Sequence, residues 1–204
     1  MRCYLVRHAQ TTWNDENRIQ GHADPPLSPL GCEQAERLAS YFADRSIGAL
    51  YTSGLARSLH TAQAIARKTK LTPRIEPALA EIHLGIWEGL TPEEVDTRFH
   101  GAYQQWHLAP SQVTIPGAEP LEQFRIRVRT AVTQIWEAHR DGEMVIVSHG
   151  GVIAALLADC LGADYDHLLR KLCLDNAGVS AIDCRTTPPC VLWINATHHL
   201  ANHR

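Results

Sequence analysis

The chain has 204 residues, of which 45% are hydrophobic and 20% are charged, values that are typical of a globular domain and exclude the disordered and fibrous classes. Its formal net charge of −3 argues against a general nucleic-acid or anionic-membrane binder, because such proteins carry broad basic surfaces. No apolar run reaches the roughly 20 residues that span a bilayer, and the charged pair Arg7-His8 stands where a signal peptide would be apolar, so we expect a cytoplasmic protein.

In the first third of the chain, short apolar runs alternate with helical patterns. Cys3 to Val6 predicts a buried strand, and Ile47 to Thr52 predicts a second one. Ser28-Pro29 is typical of a helix start, with an N-cap serine before a first-turn proline. Apolar residues at intervals of three and four then predict two helices packed on a sheet. Their apolar positions are Ala35, Leu38, Ala39 and Phe42 in the first helix and Leu55, Leu59, Ala62 and Ala66 in the second.

The middle of the chain, from about Pro92 to Glu119, has no clear period and is predicted to be irregular. We interpret it as an insertion that covers a site. A long helix, a strand, a second helix and two late strands are predicted after it. They are marked by Leu121, Phe124, Val128, Val132, Ile135 and His139, by Met144 to Val147, by Val152 to Leu161, and by Val179 to Asp183 and Val191 to Asn195.

Strands that alternate with helices predict an α/β fold, a three-layer α/β/α sandwich with a mostly parallel central sheet and helices on both faces. The chain has no internal repeat and no long linker, so we expect a single domain over residues 1–204 with the insertion at about 92–119. In such sheets, ligands bind beyond the carboxyl ends of the strands. Arg7-His8 and Ser148-His149 each end a predicted strand, so these side chains should meet at one edge of the sheet.

Five short motifs follow one another along the chain. They are Leu5 to Asn14 with Gln20-Gly21 and Asp24 to Gly31, Ser53 to Arg57 with Thr61-Ala62, Glu81 to Gly89, Ser148 to Gly151, and Asn195 to Leu200. Each motif is weak alone, but in this order they resemble the histidine phosphatase superfamily, also called the phosphoglycerate-mutase-like family, over nearly the whole chain. The resemblance implies a metal-independent phosphomonoesterase that acts on small phosphorylated metabolites through a phosphohistidine intermediate.

The resemblance places His8 at the centre of the site. A phosphate monoester carries close to two negative charges, and Arg7 and Arg57 can each offer paired donors to its oxygens. The resemblance implies that His8 attacks phosphorus while the carbonyl of Ala9, where the family usually has glycine, holds the other ring nitrogen. It also implies that His149 donates to a phosphate oxygen.

Two carboxylates compete for the role of general acid. From its place in the motif, Glu81 is preferred as the group that protonates the leaving oxygen and then activates the attacking water. Glu88 is interpreted as a residue that stabilises the loop. Asn14, Gly21 and Gly150 are predicted to contribute substrate contacts.

Four residues in or near these motifs and the insertion are left outside the predicted site. Thr52 and Ser53 stand where the family often has a serine pair, and they are given no role. Trp87 and Trp106 are interpreted as packing residues rather than as residues that stack on a substrate.

No metal or cofactor is predicted. The remaining histidines lack a chelating spacing, and the six scattered cysteines form no C-x-x-C pair, which is typical of reduced thiols. No glycine-rich nucleotide-binding loop is present. The predicted partner is a small-molecule phosphate ester, and an exposed late strand could pair two copies of the chain as a homodimer.

Three functions remain open: a phosphatase, a mutase that returns the phosphoryl group to a second hydroxyl, and a non-catalytic phospho-ligand binding protein. The binding protein is disfavoured because it would have no use for His8 together with Glu81. Hydrolysis is favoured over the mutase, because the resemblance implies that mutases carry a longer insertion and a closing tail, whereas this chain ends shortly after Leu200.

Overall fold

A six-stranded sheet forms the centre of the structure, a computed structural model that describes residues 1–139 and 141–201. The strands, in chain order, are β1 (Arg2–Arg7), β2 (Ile47–Thr52), β3 (Arg74–Ile75), β4 (Glu143–Ser148), β5 (Val179–Asp183) and β6 (Cys190–Ala196). They lie side by side in the order β3-β2-β4-β1-β5-β6. The first four are mutually parallel, whereas β5 is antiparallel to both of its neighbours, so the predicted mostly parallel sheet is confirmed.

Helices cover the sheet and extend from its carboxyl edge. The α-helices of the described residues are α1 (Thr12–Asp15), α2 (Pro29–Ala43), α3 (Ala56–Thr69), α4 (Pro92–Arg98), α5 (Ala102–Leu108), α6 (Leu121–Ala138), α7 (Gly150–Leu161) and α8 (Tyr165–Leu169). Short 3-10 helices lie at Pro77–Leu79, Gly85–Trp87, Pro110–Gln112 and His198–Leu200. No helix in the described ranges is both long enough and apolar enough to cross a membrane.

The side chains of β1 divide between two cores because successive residues of a strand point to opposite faces of the sheet. Cys3 and Leu5 join a core that α6 and α7 cover, and Tyr4 and Val6 join a second core that α2 and α3 cover. In the second core, the ring of Phe42 meets that of Tyr4 edge to face at 5.4 Å. The predicted three-layer sandwich, with helices on both faces, is confirmed.

The buried face of α3 differs from the predicted one. Leu59 and Ala66 are only half-buried, and Leu55 caps the helix from outside. The buried face instead includes a polar row of Arg57, Ser58 and Thr61, because this helix turns the row toward the carboxyl edge of the sheet. The apolar stripe therefore indicated the helix correctly, although Ala62 is the one of its four positions that is fully buried.

The segment from Pro92 to Glu119 is more regular than the sequence analysis predicts, because it contains α4, α5 and a 3-10 helix. α4 begins with a capping box, in which the Thr91 hydroxyl accepts from the Glu94 backbone and the Glu94 carboxylate accepts from the Thr91 backbone. Both helices have only 7 residues, which is too few for a clear apolar period.

Candidate active site

Two neighbouring parallel strands bring His8 and His149 together. β1 and β4 pair with Arg7 opposite Ser148, and the His8 backbone N–H donates to the Ser148 carbonyl at 2.9 Å. Each histidine follows its strand directly, and the two ring centroids are 5.2 Å apart. Both side chains are buried. The convergence expected at this edge of the sheet is therefore present.

The hydrogen bond from His8 to Ala9 fixes the tautomer of His8. Its Nδ1 lies 2.8 Å from the Ala9 carbonyl, which can only accept, so Nδ1 carries the proton and Nε2 carries the lone pair. Burial, together with the positive charges of Arg57 and Arg7, lowers the pKa of His8 well below its ordinary value and keeps the ring neutral. Ala9 lies outside the left-handed region of backbone conformation, so alanine replaces the family's usual glycine without strain.

Two arginines, the buried Arg57 and the half-buried Arg7, supply the positive charge of the site. Arg57, on the first turn of α3, donates to the carbonyls of Gly21 at 2.7 Å and Ala23 at 2.8 Å. Arg7 donates to the Leu174 carbonyl. The Nε atoms of both arginines are buried and make no hydrogen bond within the described residues. A buried donor without a partner is costly, so these two groups are suited to bind an anion.

Glu81 enters the same site from the loop after β3. Its carboxylate accepts from the Ile82 backbone at 2.9 Å and from the Gly151 backbone at 3.0 Å. A Cβ at Gly151 would lie 2.5 Å from a Glu81 oxygen, so only glycine allows this close approach. The Arg127 guanidinium holds the loop in place, because it donates to the carbonyls of Ala78, Ala80 and Glu81.

Glu88 organises the opposite loop. Its carboxylate accepts from the backbones of His22 at 2.8 Å, Leu84 at 2.9 Å and Ala23 at 3.1 Å. Gly21, with a positive φ, sits against it, since a Cβ there would lie 2.0 Å from a Glu88 oxygen. These contacts agree with the interpretation of Glu88 as a residue that stabilises the loop.

One cavity of about 210 Å³ joins most of the predicted site residues. The predicted residues on its wall are Arg7, His8, Asn14, Gly21, Arg57 and Glu81. The Asn14 side-chain oxygen accepts from Thr11 and from Asn176, which leaves the amide NH2 as the donor end for the cavity. An electrophile in this cavity would meet a neutral imidazole, two guanidinium groups and one carboxylate.

Two predicted residues do not reach the wall of the cavity. His149 is fully buried, with its ring 5.2 Å from that of His8. Gly150 is also absent from the wall, and its neighbour Gly151 lines the cavity beside Glu81. The glycine that lines the cavity is thus one residue later than predicted. The helix α7 also begins at Gly150, whereas the sequence predicts that it begins after the glycine pair.

Ser53, to which the sequence analysis assigns no role, holds His149. The Ser53 hydroxyl lies 2.8 Å from His149 Nε2 and 2.6 Å from the Ser58 hydroxyl, and Ser58 donates to the Leu55 carbonyl at 2.9 Å. This chain of hydrogen bonds ends on a carbonyl, which can only accept. Each hydroxyl therefore donates to the group that is further from the histidine, and His149 Nε2 donates to Ser53. Its Nδ1, buried without a partner among the described residues, then carries the lone pair and must gain a proton before it can donate to an anion.

The environment of His149 opposes that proton while the site holds no anion. Burial, with the positive charge of Arg57 as the next largest effect, lowers the pKa of His149 well below its ordinary value. A phosphate dianion near Nδ1 would raise the pKa of His149, because its negative charge favours the protonated ring. The family's serine pair was the signal for Ser53 in the sequence.

A second missed residue supports the backbone of the site. Asn176 donates through its side-chain nitrogen to the carbonyl of His8 and to the side-chain oxygen of Asn14, both at 3.1 Å. It thereby ties the turn before β5 to the histidine and to the substrate-facing amide. Asn176 lies outside the five motifs, so no pattern in the sequence indicated it.

Metal binding has no structural candidate in residues 1–139 and 141–201. Over these ranges, no group of three or more His, Cys, Asp and Glu side chains is arranged to hold a metal ion. The six cysteines are free thiols.

Comparison with known proteins agrees with this geometry. The model of the histidine phosphatase superfamily (branch 1) matches residues 3–197. Phosphoserine phosphatase 1 from Hydrogenobacter thermophilus is 33% identical over 196 residues, which cover 96% of this chain and 92% of that protein.

Two solved structures share the whole architecture. YhfR from Bacillus stearothermophilus superposes with a TM-score of 0.92 at 30% identity and covers 98% of this chain and 99% of its own. A mycobacterial glucosyl-3-phosphoglycerate phosphatase in complex with VO3 superposes with a TM-score of 0.88 at 29% identity and covers 96% and 99% of the two chains.

Proposed function

Given that this chain belongs to the histidine phosphatase superfamily and is a phosphoric monoester hydrolase, we propose that it passes the phosphoryl group of a small phosphate ester through His8. The family and the reaction class that the sequence analysis predicts are thereby confirmed. The assignment of individual residues to individual steps is our proposal.

One observation carries it: His8, Arg7, Arg57 and Glu81 line a single cavity, and His8 has its Nδ1 committed to the Ala9 carbonyl. Nε2 is then an unprotonated nucleophile beside two guanidinium groups. The buried Nε atoms of the two arginines, which lack other partners among the described residues, supply charge-assisted donors to phosphate oxygens.

In the first step, His8 Nε2 forms a bond to phosphorus as the ester P–O bond breaks. Glu81, protonated, gives its proton to the leaving oxygen, and the alcohol departs. His149, protonated at Nδ1 in the presence of the dianion, donates to a phosphate oxygen and offsets the charge that develops there. In the second step, water attacks the phosphorus of phosphohistidine, Glu81 takes the water proton, and the P–N bond breaks to release phosphate and neutral His8.

The segment 92–119 covers this site within a single domain in our proposal. Tyr103 and Trp106 of α5 support the covering role, since both stand on the cavity wall. Asn14 and Gly21 line the rim and would contact the phosphoryl group, and Gly150 stays a predicted contact through its place beside Arg7.

We also propose a cytoplasmic location and a homodimer. The free thiols of all six cysteines fit a reducing compartment. β6 lies at one edge of the sheet, with β5 as its neighbour, and such an edge can pair with a second copy.

The test of the mechanism is the covalent intermediate. His8→Ala should show no phosphoenzyme after a rapid acid-free quench with radiolabelled substrate, and its release of inorganic phosphate should fall by a factor on the order of 10³ or more. Glu81→Gln should form the phosphoenzyme and lose it slowly, because deprotonation of water then lacks its base.

His60→Ala is the matched control, since His60 is an exposed histidine on the outer face of α3. It should retain both the intermediate and the rate. Activity of the unmodified protein should persist in EDTA. Full activity in His8→Ala would overturn the proposed mechanism. A return of the phosphoryl group to a second hydroxyl, rather than to water, would overturn its hydrolytic outcome.

A further inference from the structure

The cavity wall carries two clusters of opposite chemistry. One consists of the charged groups around His8, where Arg57 and Arg7 act on its imidazole, and the other is made of carbon-rich side chains. Six of these apolar wall residues are Ile19, Leu84, Trp87, Tyr103, Trp106 and Leu169. A phosphoryl group held by the charged cluster would leave the rest of the ester to contact these apolar residues.

Three aromatic rings on the wall hold one another in place. Trp87 is only 2% exposed, and its ring meets that of Trp106 at 6.4 Å with an interplanar angle of 80°. The ring of Tyr103 lies 5.9 Å from Trp106, and His107 stacks on the far side of Tyr103 at 6.4 Å with an interplanar angle of 11°. Edge-to-face and stacked contacts of this kind restrict ring rotation, so the wall is preorganised to accept an apolar group.

Apart from Arg7 and Arg57, the cavity wall offers no uncommitted positive charge among the described residues. Arg18 is the one further arginine or lysine on the wall. Its guanidinium already donates to the Gly89 carbonyl at 2.8 Å and to the carboxylates of Glu16 at 2.9 Å and Glu94 at 3.3 Å. A carboxylate on the leaving group would have to displace these partners.

From these observations we infer the substrate class, on the premise of the proposed function: phosphate monoesters whose alcohol carries an apolar ring and no charge. The whole cavity, including its charged part, has a volume of about 210 Å³, which limits the alcohol to a small group beside the phosphoryl group. Trp106 and Tyr103 then contact the leaving group directly. This role replaces the interpretation of Trp106 as a packing residue.

The experiment uses three esters of primary alcohols, because their leaving groups are chemically alike at the reacting oxygen. They are 2-phenylethyl phosphate, ethyl phosphate and O-phospho-L-serine. The expected kcat/KM for 2-phenylethyl phosphate is at least about tenfold above that for ethyl phosphate, the gain from burial of a ring. O-phospho-L-serine should rank below ethyl phosphate, because its carboxylate finds no free cation.

Two variants test whether the aromatic wall residues cause the preference for an apolar ring. Trp106→Leu and Tyr103→Leu should each lower the ratio of kcat/KM for 2-phenylethyl phosphate to that for ethyl phosphate by at least about threefold. Trp193→Leu makes the same change at a half-buried tryptophan of β6, outside the cavity, and should leave the ratio unchanged. If one wall variant fails to fold, the other variant still measures the effect.

The outcomes separate the two proposals. If ethyl phosphate is hydrolysed through phosphorylated His8 but the ring gives no advantage, or if O-phospho-L-serine is the best of the three esters, the substrate class is wrong and the proposed function stands. If the ratio is unaffected by both wall variants, the role of Trp106 and Tyr103 is wrong. If none of the three esters phosphorylates the protein, the proposed function fails and the substrate class fails with it.

Discussion

Ser53 allows a test of how a hydrogen-bond partner sets the protonation of His149. Ser53→Ala removes the acceptor of His149 Nε2, so the ring is free to change tautomer. We expect kcat/KM to fall by about 10- to 100-fold, the range found when the partner that orients a metal-bound histidine is removed. The pH profile of kcat/KM should shift as well, because the protonation of His149 depends on this contact.

Two control variants accompany Ser53→Ala. Ser53→Thr keeps a hydroxyl and should recover most of the rate, and Ser40→Ala removes an exposed hydroxyl of α2 and should change nothing. A merely structural role would lower the stability of Ser53→Ala and leave its pH profile in place. An unshifted profile would therefore contradict the proposed positioning of His149.

At the scale of single residues, the sequence predicts those site residues that belong to a motif. It misses those that only the fold brings near the site. His8, Arg57 and Glu81 stand in recognisable patterns, and all three line the cavity. Ser53 reaches its partner across 96 positions, and Asn176 lies 168 positions from His8. Local spacing carries no information about such contacts, because they depend on how strands pair.

At the scale of elements, α6 controls the loop that carries Glu81. Arg127 gives three hydrogen bonds to loop carbonyls and forms an ion pair with Glu119 at 2.6 Å. Arg127→Lys keeps the charge but loses the planar fork, so it cannot make all these contacts at once. The expected result is a loss of about 1.5–3 kcal/mol in the free energy of unfolding, measured by urea denaturation, together with a lower kcat.

Arg129→Lys is the control for Arg127, because it makes the same change two residues further along α6. Arg129 is exposed and pairs with Asp159 rather than with the Glu81 loop. This substitution should alter the free energy of unfolding by less than about 1 kcal/mol and leave kcat as it was. Equal effects of the two variants would show that the loop does not depend on Arg127.

Elements themselves were predictable where a continuous apolar run or a clear apolar stripe marked them. β2 and β5 lie within the predicted bounds, whereas the α4 and α5 helices fall in a stretch predicted to be irregular. Thr91 and Glu94 had the spacing of a capping box, so one signal for α4 was present. The residue before α5 is Gly101, which has a positive φ, and no side chain caps the helix. The start of α5 therefore carried no such signal.

For the molecule as a whole, two neutral buried histidines imply acid sensitivity. Burial lowers the pKa values of His8 and His149 well below the roughly 6.5 of an unfolded histidine. Below pH 6.5 the unfolded chain therefore binds protons that the folded chain does not, and the free energy of unfolding falls as pH falls. Each histidine contributes at most about 1.4 kcal/mol per pH unit to this slope, and nothing well above pH 6.5.

Urea denaturation of the unmodified protein between pH 7.5 and 5.5 measures the slope. His8→Asn should make the slope shallower, whatever it does to stability at pH 7.5, because one of the neutral buried imidazoles is gone. His60→Ala, which removes an exposed imidazole, should leave the slope as it is. If His8→Asn and the unmodified protein have the same slope, buried neutral histidine is not the cause of the acid sensitivity.

The pairing of β1 with β4 has a consequence for how this protein can diverge. The two imidazoles are 5.2 Å apart, close to the roughly 4.8 Å between adjacent strands, so hydrogen bonds of the sheet set their separation. The chain that joins them over about 140 positions contributes little to that distance. Insertions, deletions or whole exchanges within the 92–119 segment should therefore alter which ester is chosen while the reacting pair keeps its geometry, which makes this segment the natural place to graft a new specificity.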